Sequence, residues 1–529
     1  MPDLLIRNGL IIDGTGNPGY YATVAVDGDT MRILRGDTSD LEAGRVIDAT
    51  GHVVCPGFVD LHSHGGLTML REPLNEPKIR QGVTTELIGI DGNSAAPFKN
   101  WDDLEAVVEL YSGLNDIMPV GRDWRSVDDF LSLFEKTVSP NIAFILGNSA
   151  VRIWSVGWND RPATGAQMED MKSVVREAME EGSFGLSTGL DYPPGSYADT
   201  NELIELSKVA AEKGGFYHTH TRHSLMMNGH LAPFEEAVEI GRGSGAPVHL
   251  THYRQPDQGV GSHLDYLGLV EKSRDEGLDV TFDVYTYRFG GTRVLIQLPN
   301  WTKDGGPERV KEVLRSQEER KRAKEDMLSG TRKLNTDETW LTAFRKPHNA
   351  QYDGLSVAEI ARKRDQDPFD ALFDLLLDEN LGISAVLGGT NAQTLPAFVS
   401  HPYGMIASDA ILFGEFPSPR TYGCFPVVLA EFVRAEKHLR LPEAIRKMTS
   451  FPAQRLGLRD RGVLRDGAKA DIVVFDPDRV KAPTTHRQPK QFAQGIPYVI
   501  VNGQVVVDND VLTRAVSYTH LTLPTSDLV

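Results

Sequence analysis

Cys55-Pro-Gly-Phe-Val-Asp-Leu-His-Ser-His64 is an apolar run that ends in two histidines one residue apart. On an extended strand, residues two apart share a face, so both imidazoles leave the strand end together and offer two nitrogens to one point. That is the shape of half a metal site, and equally that of a solvated or core histidine pair. The rest of the chain decides between them.

Seven further short apolar runs follow it, giving eight candidate parallel strands: Gly57–His62, Val83–Asp91, Ile142–Asn148, Phe184–Thr188, Gly215–Thr219, Pro247–His252, Val280–Tyr285 and Tyr403–Asp409. Amphipathic stretches such as Met168–Glu180, Asn201–Lys213, Phe234–Arg242 and Leu264–Glu276 lie between them. Strand and helix alternating in this way build a parallel sheet, and eight units predict a (β/α)8 TIM-like barrel. Lys213-Gly-Gly215 and Gly245-Ala-Pro247 stop two of the helices where a C-cap is needed.

The chain ends do not fit that repeat. Asn8-Gly9, Asp13-Gly14 and Asp27-Gly28 near the start, and Asn502-Gly503 near the end, are hairpin dipeptides between β-rich runs. They predict a small β-sandwich built from residues 1–55 and 456–515, flanking a barrel over 56–455. The seventh and eighth strands lie too far apart for an ordinary barrel connection, which places a helical insertion, a lid or a solvated decoration, at about 300–400. Residues 516–529 are Thr-rich and without periodicity, and are expected to be a disordered or non-native tail.

The net charge of -18 speaks against nucleic-acid and anionic-membrane partners, both of which need a concentrated basic surface. Cys55 and Cys424 are too few for a disulfide framework or a thiolate cluster, as expected of a reducing cytoplasm. No charged leader with an apolar core opens the chain, and no apolar run reaches membrane-spanning length. The partner expected is a small molecule; self-association is left open.

Barrel chemistry sits where strands end. The residues there are His62 and His64 on the first strand, Asp91 on the second, His220 on the fifth, His252 on the sixth and Asp409 on the eighth. Imidazoles and carboxylates converging on one mouth suit one or two divalent ions of the zinc type. His218 shares a face with His220 and is a candidate to support it. His249 and His252, three apart, fall on opposite faces, so His249 is expected between strand and helix.

Several motifs carry a resemblance that covers most of the chain: Pro56-Gly-Phe-Val-Asp-Leu-His-Ser-His64, Gly82-Val-Thr-Thr85, Phe184-Gly-Leu-Ser-Thr-Gly-Leu-Asp-Tyr-Pro-Pro-Gly195, Tyr217-His-Thr-His-Thr-Arg222, Asp283-Val-Tyr-Thr-Tyr287, Arg420-Thr-Tyr-Gly423 and Met448-Thr-Ser-Phe-Pro-Ala453. The chain resembles the metal-dependent amidohydrolase superfamily, in particular its N-acyl-D-amino-acid deacylase (D-aminoacylase) branch. The resemblance implies hydrolysis of a C–N amide bond by water activated on Zn2+, with Mn2+ or Fe2+ as alternatives. It gives His62, His64, His220 and His252 as ligands and Asp409 as both ligand and general base. It also implies that Arg254, Tyr287 and Arg420 clamp a substrate carboxylate. In Gly89-Ile-Asp-Gly92, Asp91 stands where the family usually has a bridging cysteine. A carboxylate can bridge or ligate a hard cation too, with a different metal preference.

Two other functions fit the same residues. One is an amidohydrolase acting on a cyclic amide, a lactone or another small amide. The other is a barrel without catalysis, which would show missing ligands or a missing base.

Overall fold

The computed structural model describes residues 1–119, 121, 123–257, 259–329, 333–516 and 520–523. Phe58–Asp60, the first barrel strand, runs parallel to Val83–Ile88, which pairs with Asn141–Phe144. Amide bonds from Ile145 to the Ile88 carbonyl (2.9 Å) and from Phe184 to the Phe144 carbonyl (2.8 Å) carry the ladder past an interruption in the third strand, which resumes at Leu146–Gly147. Gly185–Gly189, Phe216–His220, Val248–Leu250, Val280–Val284 and Gly404–Ile406 follow side by side, each parallel to the one before. A parallel bridge between Ser63 and Ala410 joins the eighth strand to the first, with amide bonds from His64 to Ala410 (3.0 Å) and from Asp409 to His62 (2.9 Å). The ring is closed, which is the (β/α)8 barrel expected from the alternation.

The helices start where the caps allow. Thr164 and Ser262 form capping boxes for Gly165–Glu180 and His263–Asp275, each satisfying amides that the first helical turn leaves without partners. Ala232–Ser244 ends on Gly245 in the left-handed region, a conformation glycine adopts without Cβ strain.

Several strands end earlier than their apolar runs do. The second stops at Ile88, the sixth at Leu250 and the eighth at Ile406. Just beyond them Asp91, His252 and Asp409 sit at φ of 54°, 37° and 49°. Asp and His tolerate this region better than most side chains, but it is not strand geometry. Three of the residues expected at strand ends therefore stand on tight turns.

The chain ends form two sheets. One has the order Thr30–Leu34, Thr23–Asp27, Leu4–Arg7, Arg45–Asp48; in the other, Val53–Pro56 pairs antiparallel with Ile472–Phe475. Alternation assigns the faces of Val53–Pro56: Val54 joins Ile6, Val24, Ile472 and Ile500 in the core between the sheets, while Val53 and Cys55 join the barrel core with Phe58.

The long connection after the seventh strand is not helical only. Phe289–Arg293, Ser384–Gly388 and Thr339–Thr342 make an antiparallel sheet with Ser384–Gly388 in the middle. Four helices between Pro307 and Asp378 pack with it around Leu314, Leu341, Ile360, Phe373 and Ile383. Gly290 and Gly291 hide its first strand, because glycine is depleted in strands and breaks the alternation.

Of the C-terminal residues 516–529, expected to be a disordered or non-native tail, 516 and 520–523 are described. His520 bridges Ile142, the Leu521 amide bonds the Ile142 carbonyl at 2.7 Å, and Leu521 is buried. Leu521 packs in an apolar cluster with Ala143, Phe184 and Phe216; 517–519 and 524–529 lie outside the described residues. Among the described residues no helix is long and apolar enough to cross a membrane.

Candidate metal centre

All six residues expected at the strand ends meet at one place. His62, His64 and Asp91 each bring a ligand atom within 4.8 Å of the others, and so do Asp91, His220 and His252, and His62, His252 and Asp409. Asp91 belongs to two of these groups: its Oδ2 lies 3.6 Å from His62 Nε2, 3.9 Å from His64 Nε2 and 3.6 Å from His220 Nδ1. Asp409 Oδ1 lies 3.4 Å from His62 Nε2 and 3.3 Å from His64 Nε2.

Backbone geometry explains how Asp91 arrives there. The second strand leaves through Gly89, at φ of 85°, where a Cβ would stand 2.1 Å from the Ile145 carbonyl oxygen. Only glycine passes so close, and the turn it permits swings Asp91 over the barrel axis. Below the centre, Asp60 accepts the amides of His62 (3.1 Å) and Ser408 (3.0 Å), fixing the first and eighth strands to each other, with the fully buried Lys78 ammonium against it.

Behind the histidines stand further polar groups. His62 Nδ1 donates to Asp283 Oδ2 (3.3 Å) and His64 Nδ1 to Asn115 Oδ1 (3.0 Å). His220 Nε2 donates to Asp191 Oδ2 (2.8 Å), which leaves Nδ1 facing the centre, 2.9 Å from His252 Nε2. Such carboxylate and amide partners fix ring orientation and the nitrogen that stays free to bind. Asp283, Asp191 and Asn115 are absent from the strand-end set. Asp283 is the penultimate residue of the seventh strand, and a strict strand-end criterion finds it once that strand is ended at Val284. Asp191 and Asn115 lie on a loop and at a helix end, where no periodicity marks them.

His249 corrects the parity argument. It lies inside the barrel, stacked on His218 at 5.3 Å and donating to Asp283 at 3.1 Å, not between strand and helix. The strand ends at Leu250, and the left-handed turn at His252 brings that ring back over the axis as well. His218 bonds the Leu61 carbonyl (3.2 Å) and packs against His62, beneath the centre.

The electrostatics follow from crowding charges out of water. Burial opposes charge on His62, but Asp409, Asp91 and Asp283 outweigh it and hold its pKa well above the ordinary value. Burial likewise opposes charge on His220, yet bonds to Asp191 and Asp91 raise it to about 9. His252, desolvated and beside His220, is lowered to about 3. Burial works to raise Asp91 and Asp409, but the surrounding imidazoles and, for Asp409, Arg420 keep both below the usual carboxylate range.

The donor set fits a divalent ion. Two buried atoms at this point, His62 Nε2 and Asp91 Oδ1, have no hydrogen-bond partner. Leaving such groups unpaired is costly, and a cation would satisfy both. Nitrogen and carboxylate donors without sulfur suit zinc, manganese or iron(II).

The centre forms the floor of a cavity of about 490 Å³. Its walls include Tyr192, Arg254 and Tyr285, and its roof comes from the inserted sheet through Gly290, Gly291, Thr292 and Leu387. Arg254 stacks on Tyr285 at 4.6 Å and donates to the His252 carbonyl (2.7 Å). Arg420, expected to clamp a substrate carboxylate, lines the cavity but is engaged by Asp409 Oδ2 at 2.7 Å and the Gly291 carbonyl at 2.9 Å, and its side chain is almost fully buried. Tyr287 does not reach the cavity wall: its hydroxyl pairs with Thr484 at 2.7 Å. The chain has left strand geometry by then, and Tyr285 takes the place at the wall.

Comparison with known proteins agrees with this geometry. Residues 45–192 and 355–507 match the model of the amidohydrolase family. A D-aminoacylase of Alcaligenes xylosoxydans xylosoxydans is 32% identical over 97% of this chain and 96% of its own length. The crystal structure of an N-acyl-D-glutamate deacylase from Bordetella bronchiseptica, complexed with zinc and a phosphonate mimic of the tetrahedral intermediate, superposes with a TM-score of 0.81 at 27% identity, over 99% of this chain and all of that one. A D-aminoacylase structure determined to define the role of its binuclear metal centre gives 0.79 at 30%, over 97% and 98%. With its closed barrel and converging histidines and carboxylates, the chain belongs to the amidohydrolase family, in its D-aminoacylase-like branch.

Proposed function

We propose that the protein is a metal-dependent hydrolase that removes the acyl group from N-acyl-D-amino acids. The observation that carries this reading is the convergence of His62, His64, Asp91, His220, His252 and Asp409 at the floor of a cavity with a cation on its wall. One or two divalent ions, zinc first, would be held by the four histidines and by Asp91, which stands between the two pairs. Such an ion polarises the scissile carbonyl and acidifies water near neutral pH. Asp409, the general base of this reading, takes the proton of the attacking water and hands it to the departing amine nitrogen. Arg420 keeps Asp409 ionised and oriented through their 2.7 Å ion pair. Arg254, which has no carboxylate partner among the described residues, receives the substrate carboxylate from its platform on Tyr285. The two buried free cysteines, Cys55 and Cys424, suit a reducing cytoplasm.

The test is metal analysis followed by a panel of N-acyl-D-amino acids, N-acyl-L-amino acids and small lactams, assayed with the metal restored. Turnover confined to D-configured acyl substrates is expected. Ring opening of lactams without deacylation would replace this reading with the cyclic-amide one.

A further inference from the structure

We propose that Asp283 is a positioning residue through which one carboxylate holds a histidine from each pair of the centre; this rests on the reading above that the centre binds a divalent ion. Asp283 is fully buried in the seventh strand, Val280–Val284. Its Oδ2 accepts from His62 Nδ1 (3.3 Å) and from His249 Nε2 (3.1 Å), and its Oδ1 accepts the backbone amide of His252 (2.7 Å). Three N–H groups thus converge on a group that only accepts, and two of them belong to residues from opposite sides of the centre.

Each bond has a separate consequence. Donation from His62 Nδ1 fixes the tautomer that leaves the Nε2 lone pair facing inward, and Nε2 is the buried atom without a partner. The bond to the His252 amide braces a residue at φ of 37°, the turn that returns its ring to the axis. His249 completes the set: its Nδ1 accepts from the Thr281 hydroxyl at 2.9 Å, so its Nε2 carries the hydrogen given to Asp283. An asparagine of the same shape cannot replace this. Its NH2 group would meet an N–H donor on either side, and His62 would have to turn its lone pair outward to accept.

The experiment compares Asp283→Asn and Asp283→Glu with the native protein. Readouts are zinc affinity by competition with a chelator, the visible spectrum of the cobalt-loaded protein, and kcat and KM at saturating metal. Asp283→Asn is expected to bind zinc about 10–100-fold more weakly, with a changed cobalt spectrum and a lower kcat at little change in KM; Asp283→Glu, which keeps the carboxylate, recovers most of the affinity. Equal zinc affinity and identical spectra in Asp283→Asn and native protein would overturn the proposal, as would equal damage from Asn and Glu, which would mark a packing role. Failure of the native protein to bind zinc would instead overturn the metal reading. Should Asp283→Asn not fold, ¹⁵N spectra of histidine-labelled, zinc-loaded native protein decide: His62, identified by its loss in His62→Asn, is expected to carry hydrogen on Nδ1, and hydrogen on Nε2 would overturn the proposal.

Discussion

The histidines of the centre are held in two different ways. His62 and His64 are buried, lie at the end of the first strand, and are backed by Asp283 and Asn115. His220 and His252 are partly exposed; His220 is backed by Asp191 and packed on Tyr192, a cavity wall residue. His62 is enclosed by the barrel interior, whereas His64, His220 and His252 line the cavity and share their surroundings with whatever fills it. Changes at the enclosed His62 should therefore act on the ion alone, and changes at the cavity-lining histidines on ion and substrate together. Asp91 and Asp409 touch both, which makes them the sharpest tools for testing the division.

The largest effect is expected at Asp409. Asp409→Asn should lower kcat by about 10²–10⁴-fold, the usual range for a lost acid–base group, while metal content measured by mass spectrometry stays native. Loss of metal with activity would make it chiefly a ligand. Next comes the division itself: Asp91→Ala should weaken metal at both pairs, whereas His62→Asn should spare KM and His252→Asn raise it. Equal KM values in the two histidine variants would erase the distinction. Arg254→Ala should raise KM for carboxylated substrates by about tenfold to a hundredfold, on the order of one charged hydrogen bond; an equal rise for uncharged amides would remove the clamp.

The smallest effect is one of pH on the metal-free protein. With His220 raised to about 9, its protonated form stabilises the fold fully below about 6.5 and that contribution fades as pH rises toward 9. With His252 lowered to about 3, its contribution is present above about 6.5 and fades as pH falls toward 3. Melting temperature should therefore peak near neutrality without metal. Because ions and protons compete for the same nitrogens, loading zinc at pH 7 should release protons, measurable by calorimetry in buffers of different ionisation enthalpy. Binding without proton release would contradict the charge state drawn for the centre.

Much of this was legible in the sequence because it rests on periodicity. Apolar runs alternating with amphipathic ones gave the eight parallel strands, and the residues at the ends of the runs or just past them are the six that the structure brings together. What escaped depends on where the chain turns. Parity along a strand placed His249 outside the barrel because the strand ends at Leu250, earlier than the apolar run suggests, and Tyr287, implied by the resemblance, lies past a seventh strand that ends at Val284. Asn115 and Asp191 act across gaps of dozens of residues, which only the folded chain reveals. The inserted sheet was hidden by Gly290 and Gly291, residues that weaken a strand pattern yet allow close approach.

That sheet has a further meaning for how the molecule could diversify. Its strands at Phe289–Arg293 and Ser384–Gly388 ceil the chamber while the reactive groups stay below on the barrel. Exchanging the segment that runs from one to the other would re-dress the guest's surroundings without touching the hearth, so appetite and chemistry can drift apart within a single architecture.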